Sequence, residues 1–328
     1  MLRFGLVVRR ADLRTFPTHL RVFRAPGDTD IDRFQEDALF PGTAVAVVHE
    51  SRDDRWLFVV SERYAAWIER DKVAIGDREA VLDYARRGNA LVVTGATART
   101  VYTPENPAVS DVQLEMGVRV PLVADWPADR PLNGQVPYYG HVVELPVRHA
   151  DGSLSFAPAM VPRSADVATG YLPHTRANVL RQAFKFLGER YGWGHAYNAR
   201  DCSGFVSEIY RSFGILMPRN TEAQATTPAL DTRVLEPGMP VAERLELLRE
   251  TEVGDLLYMP GHVMLVIGHV DGEPYVIHDT AGVSLRTASG AVERLPLNGV
   301  VVTPLTPMLA DATTSTIQHL THIQRVGR

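Results

Sequence analysis

The sequence predicts a multidomain chain, two small all-β domains followed by an α+β domain, and three observations lead there. Its 328 residues suit two or three domains at roughly 150 residues each. Its first half is a series of short runs rich in Val, Ile, Trp and Phe, split by turn-forming clusters. From Pro173 onward the apolar spacing changes from the strand period to the helix period.

The β runs come first. "TAVAVVHE", "RWLFVVSE", "AAWIER" and "ALVVTG" are separated by clusters such as "PGDTD" and "SRDDR", and short strands this closely spaced form small barrels or sandwiches. The mixed stretch "IGDREAVLDYARRGNA", with Val81, Leu82 and Ala85, predicts a helical turn or two as a connector. A second β-rich segment runs to about residue 163, with breaks at "WPADRPLNG" and "HADGS". Two small β domains in series fit this pattern better than one.

The helical part follows. "HTRANVLRQAFKFLGERYGWG" spaces Leu180, Ala183, Phe184 and Leu187 along one helix face, with Thr175 as N-cap and Gly188 as stop. "DCSGFVSEIYRSFGI" does the same with Phe205, Val206, Ile209, Tyr210 and Phe213, ending at Gly214. Three strands come next, "DLLYM", "HVMLVIG" and "PYVIH", the last two joined by the turn "VDGE". Helices first and an antiparallel sheet second define an α+β domain. Beyond Pro307 the tail reads as a short helix packing back or a loose end. His319 and His322 in that tail have a spacing that can ligate metal, but with no carboxylate partner they read as solvated or capping groups.

Composition excludes several function classes. Apolar residues make up 45% and charged residues 22%, the balance of a globular protein with real cores. The formal net charge of -5, with both signs well mixed, argues against a nucleic-acid partner. No stretch approaches the roughly 20 apolar residues of a membrane span. The start, "MLRFGLVVRR", lacks the h-region and cleavage site of a signal peptide. The expected location is therefore the cell envelope if an export signal has been removed, and the cytoplasm if Met1 is the native start.

One cysteine rules out an intramolecular disulfide and a Cys-based zinc cage. Cys202 is that cysteine, and a lone cysteine is most often a small buried hydrophobe. Its setting argues for more. Asp201 is a good N-cap residue, which puts Cys202 in the first turn of a helix. There the helix dipole and unpaired N–H groups favour a thiolate, and the same N–H groups can bind an oxyanion. Gly204 clears space for a close approach. A base is also at hand: His262 opens its strand straight after the turn "MPG", and His278 closes the next strand, so both lie near one end of the hairpin. Nucleophile, base and a third polar group is the logic of a catalytic triad. The register is not derivable from the sequence, and His269, at the far end of the His262 strand, is the rival for third place.

"YGWGHAYNARDCSGF", "PRNTEAQ", "GHVMLVIG" and "VIHD" together resemble the NlpC family of bacterial cell-wall cysteine peptidases, whose catalytic domain is papain-like. Upstream, "RRADLRTFPT" through "FRAPGDTDIDRFQEDALFPGTAV" is similar to a first bacterial SH3-type domain, and "LVVTGATARTVYTP" with "LEMGVRVPL" to a second. The resemblance thus implies SH3-like domains over 1–80 and 81–165 and a peptidase domain over 166–328. It implies Cys202 as nucleophile, His262 as general base and His278 as the group orienting it. Asp201 and Ser203 match positions that bind the free amine and backbone of a murein stem peptide. Tyr191 matches a tyrosine near the nucleophile, Trp193 shapes the cleft and Thr221 lines it. Tyr64, and less closely Glu36, match polar groups with which the first SH3-like domain closes one end of the cleft. His195 stands where the family usually has a second glycine, a departure in the shape of that loop.

The implied reaction is hydrolysis of the amide between γ-D-glutamate and a diamino acid, diaminopimelate, in a peptide with a free N-terminal L-Ala. The implied partner is the murein stem peptide, with no cofactor or metal, and the expected state is a monomer. Two other readings use the same residues: a murein-binding protein without catalysis, and an acyltransferase that passes the thioester to an amine or lipid.

Overall fold

The computed structural model describes residues 2–287, 289–311 and 313–327. The chain forms two compact units. One comprises Met1–Leu172 with Trp193–Ala196 and Arg211–Gly214; the other comprises Pro173–Gly192, Tyr197–Tyr210 and Ile215–Arg328.

The first unit is mostly β. An antiparallel sheet of seven strands runs in the order Gln35–Leu39, Ala11–Arg14, Ala65–Glu69, Trp56–Val60, Ala44–Glu50, Arg3–Val7, Val73–Gly76. The runs "TAVAVVHE", "RWLFVVSE" and "AAWIER" supply three of these strands, and Leu13, Leu57, Val59 and Ile68 are among the buried side chains between them. The connector helix is Arg78–Arg86, with Val81 and Tyr84 buried. The second β-rich segment builds a three-stranded sheet around Ala90–Val93 and a long hairpin, Gly140–Arg148 with Leu154–Pro162. The two segments share a core: Ala38 and Phe40 of the first pack in one cluster with Leu91, Val93, Val120 and Val143 of the second.

The second unit is α+β, as the sequence predicts. Its antiparallel sheet runs in the order Asp231–Val234, His322–Arg325, Leu256–Met259, His262–Val270, Glu273–Thr280, Gly299–Pro304. Thr175 caps the helix Arg176–Phe184 by accepting from the N–H of Asn178. The buried face of that helix differs from the expected one. Val179, Gln182, Ala183 and Phe186 are buried, whereas Phe184 and Leu187 are exposed. Both sets have helical spacing; the real one is rotated by one residue and includes a buried glutamine, which apolar counting passes over. The helix Cys202–Arg211 is buried on every side from Cys202 to Tyr210, and Gly214 takes the left-handed φ of +79° that ends it.

The tail also departs from expectation. Thr316–His319 is a short helix with a capping box from Ser315 and Gln318. After it the chain enters the sheet, where His322–Arg325 pairs with strands on both sides. Gln324 explains why: it is fully buried, accepting from the Tyr258 hydroxyl and donating to the Gln224 carbonyl. Among the described residues no helix is long and apolar enough to cross a membrane.

Candidate active site

The site is assembled from one helix start and two neighbouring strands inside the sheet. Cys202 is the first residue of its helix and is buried. Asp201 caps that helix, accepting from the N–H of Gly204 at 2.9 Å. The segment "PRNTEAQ" locks the cap from outside. Arg219 donates to both carboxylate oxygens of Asp201, at 2.7 and 3.2 Å, and to the Ser203 hydroxyl at 2.7 Å. Gln224 donates to the Ser203 carbonyl. Thr221 opens the short helix Thr221–Ala225 between these two. Arg219 is a site residue the sequence reading missed. Its signal was a single arginine inside an otherwise uncharged turn, but its partners lie 18 and 16 residues back.

The histidines come from the hairpin. Met259 pairs with His262 across a two-residue turn, Pro260–Gly261, in which Gly261 takes φ +77°, so His262 begins its strand directly at the turn. Leu265 pairs with Ile277 on the next strand. Counting three residues back and one forward puts His262 and His278 on one face of the sheet, as diagonal neighbours. Their rings meet, with Nε2 of His262 2.8 Å from Nδ1 of His278. His269 is engaged elsewhere, with the Leu248 carbonyl and Thr251. The Cys202 sulfur lies against the backbone on both sides of His262, 4.0 Å from the Gly261 carbonyl oxygen and under the Val263 N–H.

Electrostatics correct one expectation. The thiol is not lowered by its helix position; burial and the charge of Asp201 push it up to about 12, outweighing the Val263 N–H and Arg219. Burial pushes His262 down to about 4. His278 is held well below its usual range by burial and by His262 beside it. The resting pair is therefore a neutral thiol and a neutral imidazole. Such a pair can react by moving the proton to the base as the sulfur attacks, without a preformed thiolate. Tyr191 is buried, and its phenol is raised by burial and by Cys202, Asp201 and Asp279, which places it in their field.

Other predicted residues lie in the first unit. Tyr64 donates to Glu36 at 2.6 Å, so the two polar groups singled out there form one contact. Trp193 donates its indole N–H to the Gln35 carbonyl at 3.1 Å. His195 has φ +63°, in the left-handed region that favours glycine. Its ring is buried beside Phe40, and its Nδ1 lies 3.0 Å from Asp37. In the tail, His322 contacts Thr321 and His319 lies 3.7 Å from Asp311.

Comparison with known proteins finds two matching families. The model of the NlpC/P60 family matches residues 188–299, and that of the SH3 domain of SH3b1 type matches residues 21–69. The chain carries an NlpC/P60 domain. It is 23% identical over 264 residues to Dipeptidyl-peptidase 6 of Lysinibacillus sphaericus, which covers 80% of this chain and 86% of that relative. A stretch of 62 residues is 37% identical to the probable endopeptidase p60 of Listeria seeligeri, 18% of this chain and 12% of that one. Among solved structures, an NlpC/P60 endopeptidase from Photobacterium damselae subsp. piscicida superposes with a TM-score of 0.78 at 20% identity, covering 98% of this chain and 72% of its own. An NlpC/P60 family protein from Bacillus cereus ATCC 10987 gives 0.65 at 18% identity, covering 98% and 99%. At these identities the likeness is one of fold. The SH3 match falls on the first β-rich segment; a second SH3-like domain over 81–165 stays a proposal.

Proposed function

We propose that this chain is a cell-wall peptidase that hydrolyses the γ-D-glutamyl–diaminopimelate amide of murein stem peptides. The observation that carries this reading is the contact of His262 Nε2 with His278 Nδ1 beside a cysteine at a helix start. Support for the coarser class, a peptidoglycan hydrolase, comes from the NlpC/P60 match and from relatives named as peptidases. In this reading the Cys202 sulfur attacks the carbonyl carbon while its proton passes to His262. Backbone N–H groups at the helix start hold the oxyanion. His262 then gives the proton to the leaving amine, and water clears the thioester. Asp201, held by Arg219, receives the free α-amine of L-Ala. Tyr191, Ser203 and Thr221 line the path of the peptide.

The test is incubation with a free L-Ala–γ-D-Glu–diaminopimelate tripeptide, watching for release of Ala–Glu. Cys202→Ala and His262→Ala should each lower turnover by about a thousandfold or more, with His278→Gln milder. Turnover near wild type in purified Cys202→Ala would remove the nucleophile assignment. Binding of the tripeptide without cleavage would favour the non-catalytic reading, and transfer to an added amine the acyltransferase. Digestion of sacculi at a rate comparable to free peptide would remove the requirement for a free N-terminus.

A further inference from the structure

The histidine pair does not end at His278. On its far side, His278 Nε2 lies 3.1 Å from the hydroxyl of Thr303. Thr303 sits on the strand Gly299–Pro304, where His278 pairs with Val301, so Thr303 is a diagonal neighbour on the same sheet face. Three adjacent strands thus present His262, His278 and Thr303 in a row. His278 and Thr303 are buried, and the row ends at Met308, also buried.

The direction of the hydrogen bonds follows from counting protons. A threonine hydroxyl has one proton to give. Thr303 directs it at the Met308 sulfur, 3.3 Å away, and a thioether can only accept. With that proton directed at Met308, the Thr303 oxygen accepts from His278, and the single proton of the neutral His278 ring sits on Nε2. His278 Nδ1 is then a bare lone pair and can only accept, which requires the proton of His262 to sit on its own Nε2. That leaves Nδ1 of His262 bare, and no described residue hydrogen-bonds to it.

We propose that Thr303 is a positioning residue that fixes the tautomers of His278 and His262 and so keeps Nδ1 of His262 free to take the thiol proton. The catalytic part of this inference rests on His262 being the general base; the tautomer part stands without it. Without the Thr303 acceptor, His278 can place its proton on either nitrogen. With the proton on Nδ1 it confronts the N–H of His262, and His262 must turn or change tautomer to relieve the clash. On proton transfer His262 becomes an imidazolium with both nitrogens protonated. Its Nε2–H still donates to His278 Nδ1, so no bond in the row has to reverse, and the proton leaves later with the amine.

The experiment uses full-length protein with 15N-labelled histidine and long-range proton–nitrogen correlation spectra at neutral pH. Both His262 and His278 should show the Nε2–H tautomer in the wild type. Thr303→Val keeps the volume and removes the acceptor. It should populate the Nδ1–H tautomer of His278 and lower kcat on the free tripeptide roughly tenfold with KM unchanged. Thr303→Ser, which keeps the hydroxyl, should restore both.

A wild-type His278 protonated on Nδ1 would overturn the proposal, and that measurement needs no folded variant. So would a fall in kcat for Thr303→Val with unchanged tautomers, which would assign Thr303 to packing. A Thr303→Ser as impaired as Thr303→Val would overturn it as well. If the wild type cleaves no stem peptide, the peptidase reading fails while the spectra still decide the tautomers.

Discussion

Asp201 and Asp279 are two buried acids within the electrostatic reach of Cys202, and they solve the cost of burial in opposite ways. Asp201, at a helix start, has a helix N–H, a serine hydroxyl and a bidentate arginine around its carboxylate. Asp279, in mid-strand opposite Val300, is fully buried, and neither of its oxygens has a hydrogen bond among the described residues. Burial and the negative charges of Asp201 and Glu189 push it up to about 9, with Arg200 only partly opposing. An acid with a dedicated cation bears its charge; an acid without one keeps its proton. Arg200 is already committed, at 2.8 Å to Glu208 and 2.5 Å to Glu189, which leaves Asp279 no cation of its own. Cys202 thus has one charged and one neutral acid beside it, and only the charged one opposes thiolate formation at neutral pH.

The largest effect that would break this contrast comes from the arginine. Arg219→Met strands the Asp201 charge in the interior and should cost about 3–5 kcal/mol in chemical denaturation. Adding Asp201→Asn should recover part of that loss, because the two changes share one interaction. A cost below about 1 kcal/mol for Arg219→Met would mean Asp201 has no more need of its partner than Asp279 has.

Asp279→Asn sharpens the other side. The folded chain binds the Asp279 proton up to about 9, against 3.8 for the ordinary group. Between those values the folded state holds more protons than the unfolded one, so this group's stability contribution is full below 3.8 and is lost as pH rises through about 9. From pH 7 to 8 the wild type should lose about 1.4 kcal/mol that Asp279→Asn does not. Parallel stability curves for the two proteins across that window would show that Asp279 is ionised there and finds a partner after all.

The same contrast shows what the sequence could tell. The Asp201 cap, the helix it starts and the tight turn placing His262 were legible because each depends on residues within a few positions. The hairpin turn "VDGE" was legible for the same reason, and Asp271 and Gly272 both take positive φ there. Asp279 and Thr303 were not, since their surroundings are set by strand register, and Thr303 meets a histidine 25 residues away. The thiol's direction of shift was misread because a helix start is a local feature and burial is not. The tail strand was missed because "HIQR" has almost no apolar signal; its place depends on Gln324 finding Tyr258 and Gln224.

A third buried acid, Asp37 in the other unit, tests whether the contrast has intermediates. It is fully buried, with His195 Nδ1 3.0 Å from one oxygen and Arg63 3.6 Å from the other. His195 makes that contact from a left-handed backbone, φ +63°, a conformation costing a non-glycine residue roughly 1–2 kcal/mol. His195→Gly removes the strain and the contact together. If Asp37 behaves as a charged acid that needs its partners, losing the imidazole outweighs the relief, and the variant should be less stable by about 1 kcal/mol in denaturant. His195→Asn is the control, since asparagine tolerates the left-handed region. It should fall between glycine and the wild type if its amide reaches Asp37, and match glycine if it does not. A His195→Gly protein more stable than wild type would mean that Asp37 does not need the imidazole and that relief of backbone strain outweighs the lost contacts.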